Sequence, residues 1–139
     1  MTIQGGCACG AVRFESSELP VTTRVCWCRV CQYLGAGSGT VNAMFKSAGF
    51  TVRGSTSSHR FVADSGNVIH REFCGVCGTS LFSRAEVRPQ IVGVRVGALD
   101  DPELAPPEMT IWTAQAPSWA CFSEKLPRFD GQAPPPRIA

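Results

Sequence analysis

Seven of the eight cysteines in this 139-residue chain fall into three tight clusters, and this spacing constrains the fold more than any other feature. The clusters are a C-x-C pair, a C-x-C-x-x-C triplet and a C-x-x-C pair, formed by Cys7 and Cys9, by Cys26, Cys28 and Cys31, and by Cys74 and Cys77. Disulfide-rich secreted domains usually spread their cysteines along the chain, whereas clustered cysteines are typical of metal sites or catalysis. We therefore expect metal-binding thiols.

The amino-terminal segment favours a reducing compartment for these thiols. The first ten residues, MTIQGGCACG, have neither the basic region nor the apolar region of a secretory signal. No run of about 18 apolar residues occurs, so no membrane span is predicted. We expect a cytoplasmic protein with no membrane partner.

The charge of the chain does not indicate a nucleic-acid partner. Thirteen Lys and Arg residues against eleven Asp and Glu residues give a formal net charge of +2. The basic residues are scattered, and ionisation of metal-bound thiols would offset the small excess. The expected partner is a small molecule, and the oligomeric state is not predicted.

The length and pattern of the chain predict one mainly β domain over residues 1–130. Short runs rich in β-branched and aromatic residues, separated by glycine and proline turns, predict strands. The predicted strands are Gly10–Glu15, Thr40–Phe45, Phe50–Arg53, Arg60–Ala63, Val68–Phe73, Thr79–Ser83, Gln90–Ala98 and Glu108–Thr113. Short helical turns are expected near Arg29–Leu34 and Pro102–Leu104. Residues 131–139, GQAPPPRIA, are expected to form an extended, mobile tail because they contain three consecutive prolines.

The two cysteine pairs are predicted to form one closed metal site. Each pair is flanked by glycines, which allow the backbone to turn and bring N–H groups towards the sulfurs. Cys7, Cys9, Cys74 and Cys77 together supply the four ligands of a tetrahedral structural zinc. The alternative, a redox-active C-x-x-C, requires a thioredoxin-like βαβ context that the sequence does not suggest.

The triplet Cys26, Cys28 and Cys31 offers three thiolates, which is the ligand number of a catalytic zinc with one open position. Two alternatives stay open: a structural site closed by Cys121 or by a histidine, and three free thiols without metal. His59 and His70 are the only histidines, and both are interpreted as surface residues or residues near the metal. Cys121 is interpreted as a buried small apolar residue.

Six motifs follow one another along the chain: GGCACGAVRFE, CWCRVC, FCGVCGTSLF, VGALDDPE, IWTAQAPSW and LPRFDG. Over roughly residues 4–130, they resemble the glutathione-dependent formaldehyde-activating enzyme family, which includes centromere protein V. The resemblance implies an Mss4-like fold of several small, curled antiparallel β-sheets stapled by zinc. It also implies one structural zinc on Cys7, Cys9, Cys74 and Cys77, and a second, labile zinc on the catalytic residues Cys26, Cys28 and Cys31.

The activity that the resemblance implies is that of a carbon–sulfur lyase, which joins or separates glutathione and formaldehyde as S-hydroxymethylglutathione. Phe45, Trp112 and Trp119 are candidates for the pocket wall, although core packing is the simpler interpretation of each. The chain departs from the family at Trp27, where a histidine is usual, and at Gln32 and Tyr33, where basic residues are often found. These departures weaken the expectation of glutathione, because its carboxylates need positive or N–H partners. Two other functions stay open, a zinc-containing interaction module with an apolar patch and a thiol-redox or metal-handling protein.

Overall fold

A computed structural model describes residues 2–135 of the chain and contains two β-sheets, which confirms the mainly β expectation. The first sheet has three antiparallel strands, in the order β1-β2-β5. They are β1 (Ile3–Gly6), β2 (Arg13–Ser16) and β5 (Phe50–Arg53).

The second sheet has seven strands in the order β10-β3-β4-β9-β8-β7-β6, and only the β10–β3 pair is parallel. Its strands are β3 (Thr22–Cys26), β4 (Thr40–Lys46), β6 (Ser57–Val62), β7 (Val68–Phe73), β8 (Ser80–Ala85), β9 (Ile91–Arg95) and β10 (Met109–Ile111). The helix α1 (Arg29–Leu34) follows β3, and three short 3-10 helices cover Val96–Ala98, Pro102–Leu104 and Thr113–Gln115. Within residues 2–135, no helix is long and apolar enough to cross a membrane.

Most predicted elements occur near their expected positions. The bounds of β5, β7 and α1 agree with the prediction, whereas β9 is shorter because the chain turns into a 3-10 helix at Val96. Two strands, β1 and β3, were not predicted. The β3 sequence TTRVC has no alternation of apolar and polar residues that would indicate a strand. Its first three residues are polar and yet buried.

Phenylalanine rings join the two sheets in the hydrophobic core. The Phe14 ring of β2 packs edge-on against Phe82 of β8 at 5.3 Å and stacks with Phe50 of β5 at 5.5 Å. Phe45 of β4 is fully buried beside Phe50. These contacts fix one face of the seven-stranded sheet against the three-stranded sheet.

The alternation of side chains along the strands gives the seven-stranded sheet two different faces. On β4 and β9, Ala43, Phe45, Val92 and Val94 point into the core and are fully buried. The intervening residues line a cavity on the opposite face, including Asn42, Met44 and Arg95. The fold therefore separates a core face that holds the sheets together from a face that lines a cavity.

The beginning of the predicted tail, residues 131–135, makes contacts with the second sheet. The Trp112 backbone N–H donates to the Gly131 carbonyl oxygen at 3.0 Å, and the Trp112 indole donates to Gln132 at 3.1 Å. Ala133 is only 3% exposed. Ala133 packs beside Cys26 and Cys31 and thus holds a segment for which the sequence, with its three prolines, predicted no packing. Residues 136–139 lie outside the described residues.

Candidate metal centres and the adjoining cavity

Two turns that are distant in sequence bring four sulfurs together. Cys7 and Cys9 lie in the turn between β1 and β2, while Cys74 and Cys77 lie in the turn between β7 and β8. All four Sγ atoms lie within 4.8 Å of one another, and we call them the four-sulfur cluster. The Sγ atoms of Cys7 and Cys9 are 3.6 Å apart, and those of Cys9 and Cys74 are 3.8 Å apart.

The backbone of both turns directs hydrogen-bond donors at these sulfurs. The N–H of Val12 donates to Cys7 Sγ at 3.2 Å, and this bond lowers the pKa of Cys7. The Thr79 hydroxyl lies 3.1 Å from Cys77 Sγ and, together with backbone N–H groups of Thr79 and Cys9, lowers the pKa of Cys77 to about 5. Such donors stabilise the thiolate form, which is the form that binds metal.

Glycines permit the two turns. Gly10 and Gly78 have φ angles of 80° and 77°, in the left-handed region that other residues rarely adopt. A Cβ at either position would meet no neighbouring atom, so the backbone angle itself is the reason for glycine. Gly10 and Gly78 thus have the role expected from the sequence.

The four-sulfur cluster fits a tetrahedral zinc ion. Four sulfurs at about 2.3 Å from one zinc would lie about 3.8 Å from each other. The two measured sulfur separations are close to this value, and all eight cysteines are free thiols. The donor set therefore suits a thiol-binding metal with no position left open.

The junction of β3 and α1 brings the other three sulfurs together. Cys26 ends β3, Cys28 is the N-cap of α1, and Cys31 lies in its first turn. The three Sγ atoms lie within 4.8 Å of one another, and we call them the three-sulfur cluster. Among the described residues, no fourth ligand-type side chain joins this group. It could hold a metal with three protein ligands.

The three-sulfur cluster is more buried than the four-sulfur cluster and has an apolar surrounding. Cys26 and Cys31 are buried against Ile111 and Ala133. Hydrogen bonds from the Cys26 and Cys28 thiols lower the pKa of Cys31 to about 2, with a contribution from the positive charge of Arg95. Interaction with Cys28 and Cys31, together with burial, raises the pKa of Cys26. Neighbouring thiolates repel one another, so a bound cation would favour the ionisation of all three thiols.

Two of the three family departures, Trp27 and Gln32, have structural roles beside this cluster, whereas Tyr33 is exposed. The buried amide of Gln32 donates to the carbonyl oxygens of Trp27 and Gln115 at 2.8 and 2.9 Å, so it fixes the loop that carries the cysteines. The Trp27 side chain is 5% exposed and packs edge-on against Phe122. It does not line the cavity, so Trp27 supplies no group to the space beside the sulfurs.

A cavity of about 230 Å³ adjoins the three-sulfur cluster on the face of the sheet opposite the core. Its apolar wall includes Leu34, Phe61, Ile69, Ile111 and Trp112. The Trp112 backbone has a φ angle of 58°, an uncommon value for a bulky residue, and the tail contacts described above hold it. Pockets for drug-sized ligands usually measure about 300–1,000 Å³, so this cavity suits a smaller molecule.

Four arginines line the same cavity, and sequence analysis missed all of them. They are Arg24, Arg71, Arg88 and Arg95, whereas Asp64 is the one acidic residue among the lining residues that the structure describes. Burial lowers the pKa of Arg24 and of Arg95, but arginine remains positively charged at ordinary pH. Residues two apart on a strand face the same side, so Arg24 could have been predicted beside Cys26 if β3 had been recognised as a strand.

The remaining candidates from the sequence lie elsewhere. His70 contacts Glu86 on the surface at 2.8 Å, and His59 stacks with Phe61. Cys121 is exposed, which corrects the expectation of a buried residue. Of the aromatic candidates, only Trp112 lines the cavity, because Phe45 is in the core and Trp119 is 68% exposed.

The fold and the two sulfur clusters define a small β protein with two candidate metal centres, one closed and one beside a cavity. The chain belongs to the glutathione-dependent formaldehyde-activating enzyme family, whose sequence model matches residues 2–115.

Two individual proteins are similar to this chain. A protein of Halomonas elongata, provisionally named a glutathione-dependent formaldehyde-activating enzyme, is 27% identical over 125 residues, which cover 86% of this chain and 80% of that protein. The crystal structure of a Rhodobacter sphaeroides protein is similar with a TM-score of 0.56 and 26% identity, over 70% of this chain and 87% of that one. The family membership thus rests on the sequence match, and the fold is shared with a solved structure.

Proposed function

We propose that the protein is a zinc-dependent carbon–sulfur lyase or ligase that joins or separates a small thiol and an aldehyde. One observation carries this proposal: the three-sulfur cluster has three ligands rather than four and lies beside a cavity. A closed four-ligand site is typical of structural zinc, whereas three protein ligands are typical of catalytic zinc.

The donor chemistry supports zinc at both clusters. Thiolates are soft ligands that favour zinc over hard cations such as magnesium and calcium. In this proposal, Cys7, Cys9, Cys74 and Cys77 bind the structural ion, and Cys26, Cys28 and Cys31 bind the catalytic one. A zinc ion in the three-sulfur cluster would supply the positive charge that stabilises a substrate thiolate and polarises a carbonyl oxygen.

The proposed reaction is redox-neutral. The substrate sulfur forms a bond to the carbonyl carbon, the π electron pair of the carbonyl moves to oxygen, and the thiol proton ends on that oxygen. The reverse reaction breaks the same carbon–sulfur bond. The residues around the cavity contribute by orienting the two reactants, and the apolar side chains of Ile111 and Trp112 exclude water from one wall.

The family name and the name of the Halomonas relative suggest glutathione and formaldehyde as the thiol and the aldehyde. We use these two compounds as the probes of the proposed reaction, whose class does not depend on which thiol and which aldehyde bind. The proposed chemistry requires reduced thiols, which agrees with a cytoplasmic location.

The test compares thiol–aldehyde exchange in the zinc-loaded wild type and in Cys28→Ser, measured by NMR exchange spectroscopy with glutathione and formaldehyde. We expect Cys28→Ser to lose at least about 100-fold in the catalysed rate, because it removes one of three metal ligands. Cys121→Ser is the matched control, since Cys121 is exposed and outside both clusters. Equal exchange rates in wild type and Cys28→Ser would reject the proposal.

Metal analysis separates this function from the two alternatives. We expect two zinc ions per chain in the wild type and one in Cys28→Ser. A Cys26–Cys31 disulfide that forms and reverses under mild oxidant, seen by mass spectrometry, would favour a thiol-redox protein instead. A stoichiometric protein partner without any thiol-induced thermal shift would favour an interaction module.

A further inference from the structure

We propose that Arg24 and Arg95 form an oxyanion subsite on the floor of the cavity, which binds the carboxylate of a short acid used as one of the two substrates. The inference rests on the proposed function, because it names the chemical class of a substrate at the same site. It goes beyond that function in assigning the specificity to two arginines outside the cysteine motifs.

The strand register places both arginines beside the three-sulfur cluster. Arg24 lies two residues before Cys26 on β3, so both side chains emerge from the same face. Arg24 is opposite Asn42 on β4, and Asn42 is opposite Arg95 on β9. Neighbouring strands are about 4.8 Å apart, so the two arginine backbones are about 10 Å apart and their long side chains can reach one small ligand.

The guanidinium of Arg24 is buried with an unpartnered donor. The residue is only 7% exposed, and its Nη1 atom has no hydrogen-bond partner among the described residues. The Nε atom of Arg95 likewise has none, while its Nη1 donates to the neutral side chains of Asn42 and Thr40. The positive charge of Arg95 also faces the Cys31 thiol, whose pKa it lowers. A buried donor without a partner costs free energy, so Nη1 of Arg24 and Nε of Arg95 remain available to an anionic ligand.

The charge of the site leaves room for such an anion. Asp64 accepts a hydrogen bond from Gln115 at 2.8 Å and is exposed, so it does not neutralise the buried arginines. Three thiolates around one divalent cation carry a single net negative charge. Arg71 and Arg88 add further positive charge to the lining. Positive charge therefore exceeds negative charge even when the three-sulfur cluster holds metal.

The position of the subsite favours a short acid. Because Arg24 and Cys26 are only two residues apart on one strand, a carboxylate bound by Arg24 must be close to the reacting sulfur and carbon. The two carboxylates of glutathione are remote from its sulfur, and the cavity of about 230 Å³ is small for a tripeptide. The carboxylate can belong to the thiol, as in 3-mercaptopropionate, or to the carbonyl compound, as in glyoxylate.

Isothermal titration calorimetry of the zinc-loaded protein tests the subsite with matched acid and neutral probes. The thiol pair is 3-mercaptopropionate and 3-mercapto-1-propanol, and the aldehyde pair is glyoxylate and glycolaldehyde. In at least one pair, we expect the acid to bind at least about 10-fold more tightly than its neutral analogue. Arg24→Gln should weaken acid binding by about 10- to 100-fold, the effect of one charge-assisted hydrogen-bonded pair, and leave the neutral probe unchanged.

Arg53→Gln is the matched control, because Arg53 is an exposed strand arginine outside the cavity lining. The pair that shows the Arg24-dependent preference identifies whether thiol or aldehyde carries the carboxylate. Equal affinities for acid and neutral probes in the wild type, or an acid preference that persists in Arg24→Gln, would overturn the subsite. The wild-type comparison decides even where Arg24→Gln fails to fold.

The readout is binding and not turnover, so the two proposals fail separately. A protein that binds the acids through Arg24 but gives equal exchange rates in wild type and Cys28→Ser retains the subsite and loses the proposed reaction. A protein that catalyses exchange but is indifferent to carboxylates retains the reaction and loses the subsite.

Discussion

The two sulfur clusters use the same ligand atoms but differ in how the chain surrounds them. The four-sulfur cluster joins two turns from distant parts of the sequence, and glycines and backbone N–H groups shape both turns. The three-sulfur cluster comes from six consecutive residues and lies beside a cavity lined by arginines. The first arrangement connects the fold, whereas the second leaves space for a ligand. The difference shows that cysteine spacing alone does not determine the role of a metal site; the environment of the sulfurs also matters.

The largest expected difference between the clusters is in stability. Cys74→Ser should lose the structural zinc and unfold, because such sites contribute on the order of 10 kcal/mol, which is comparable to the total stability of a typical domain. Cys28→Ser should remain folded. Circular dichroism during thermal unfolding, with zinc analysis of each variant, measures both effects. A folded Cys74→Ser protein with its full melting temperature would remove the proposed distinction between the clusters.

A smaller effect is expected from the loop that carries the three-sulfur cluster. Gln32→Leu removes the two hydrogen bonds to the Trp27 and Gln115 carbonyl oxygens, so we expect a loss of about 1–3 kcal/mol in the free energy of unfolding. Zinc affinity should fall at the three-sulfur cluster and stay unchanged at the four-sulfur cluster. Urea denaturation and competition with a chromogenic chelator measure these quantities. Gln90→Leu, at an exposed position, is the control, and a loss of zinc from both clusters would contradict the prediction.

The smallest expected effect concerns the acid sensitivity of the four-sulfur cluster. Hydrogen bonds, of which the one with the Thr79 hydroxyl has the largest effect, lower the pKa of Cys77 to about 5. The stabilisation from ionised Cys77 is therefore complete at high pH and is lost as the pH falls through that value. In Thr79→Val the pKa of Cys77 should rise, so zinc release should begin at a higher pH. Thr79→Ser retains a hydroxyl and should resemble the wild type. A pH titration of zinc release measures the midpoint, and an unchanged midpoint in Thr79→Val would show that the hydroxyl does not matter.

The sequence predicted the grouping of the sulfurs well because short spacings place ligands together regardless of the surrounding fold. Cys26, Cys28 and Cys31 meet as a consequence of one strand end and one helical turn. The pairing of the two other cysteine motifs was also predicted, and the sulfur separations agree with it. The roles of these cysteines as metal ligands remain predictions that the zinc analyses test.

The cavity could not be predicted from the sequence, because its lining comes from strands that are neighbours only through the strand order of the sheet. Arg24 and Arg95 are 71 residues apart in number, and they face one cavity only because β4 lies between β3 and β9. Strand β3 was missed since buried polar residues gave it no apolar pattern. The anchoring of Ala133 was missed for a related reason, because a single alanine among prolines gives no signal of burial.

The two-faced sheet has a consequence for how this protein can change. Along β4 and β9, successive residues alternate between the phenylalanine-rich core and the cavity. Neighbouring positions in the sequence therefore serve folding and ligand binding in turn. Replacements at positions 42, 44 and 95 should alter which molecules bind in the cavity with little loss of stability. Replacements at 43, 45 and 94 should destabilise the fold. A library randomised at every second residue would therefore diversify ligand preference on an intact scaffold.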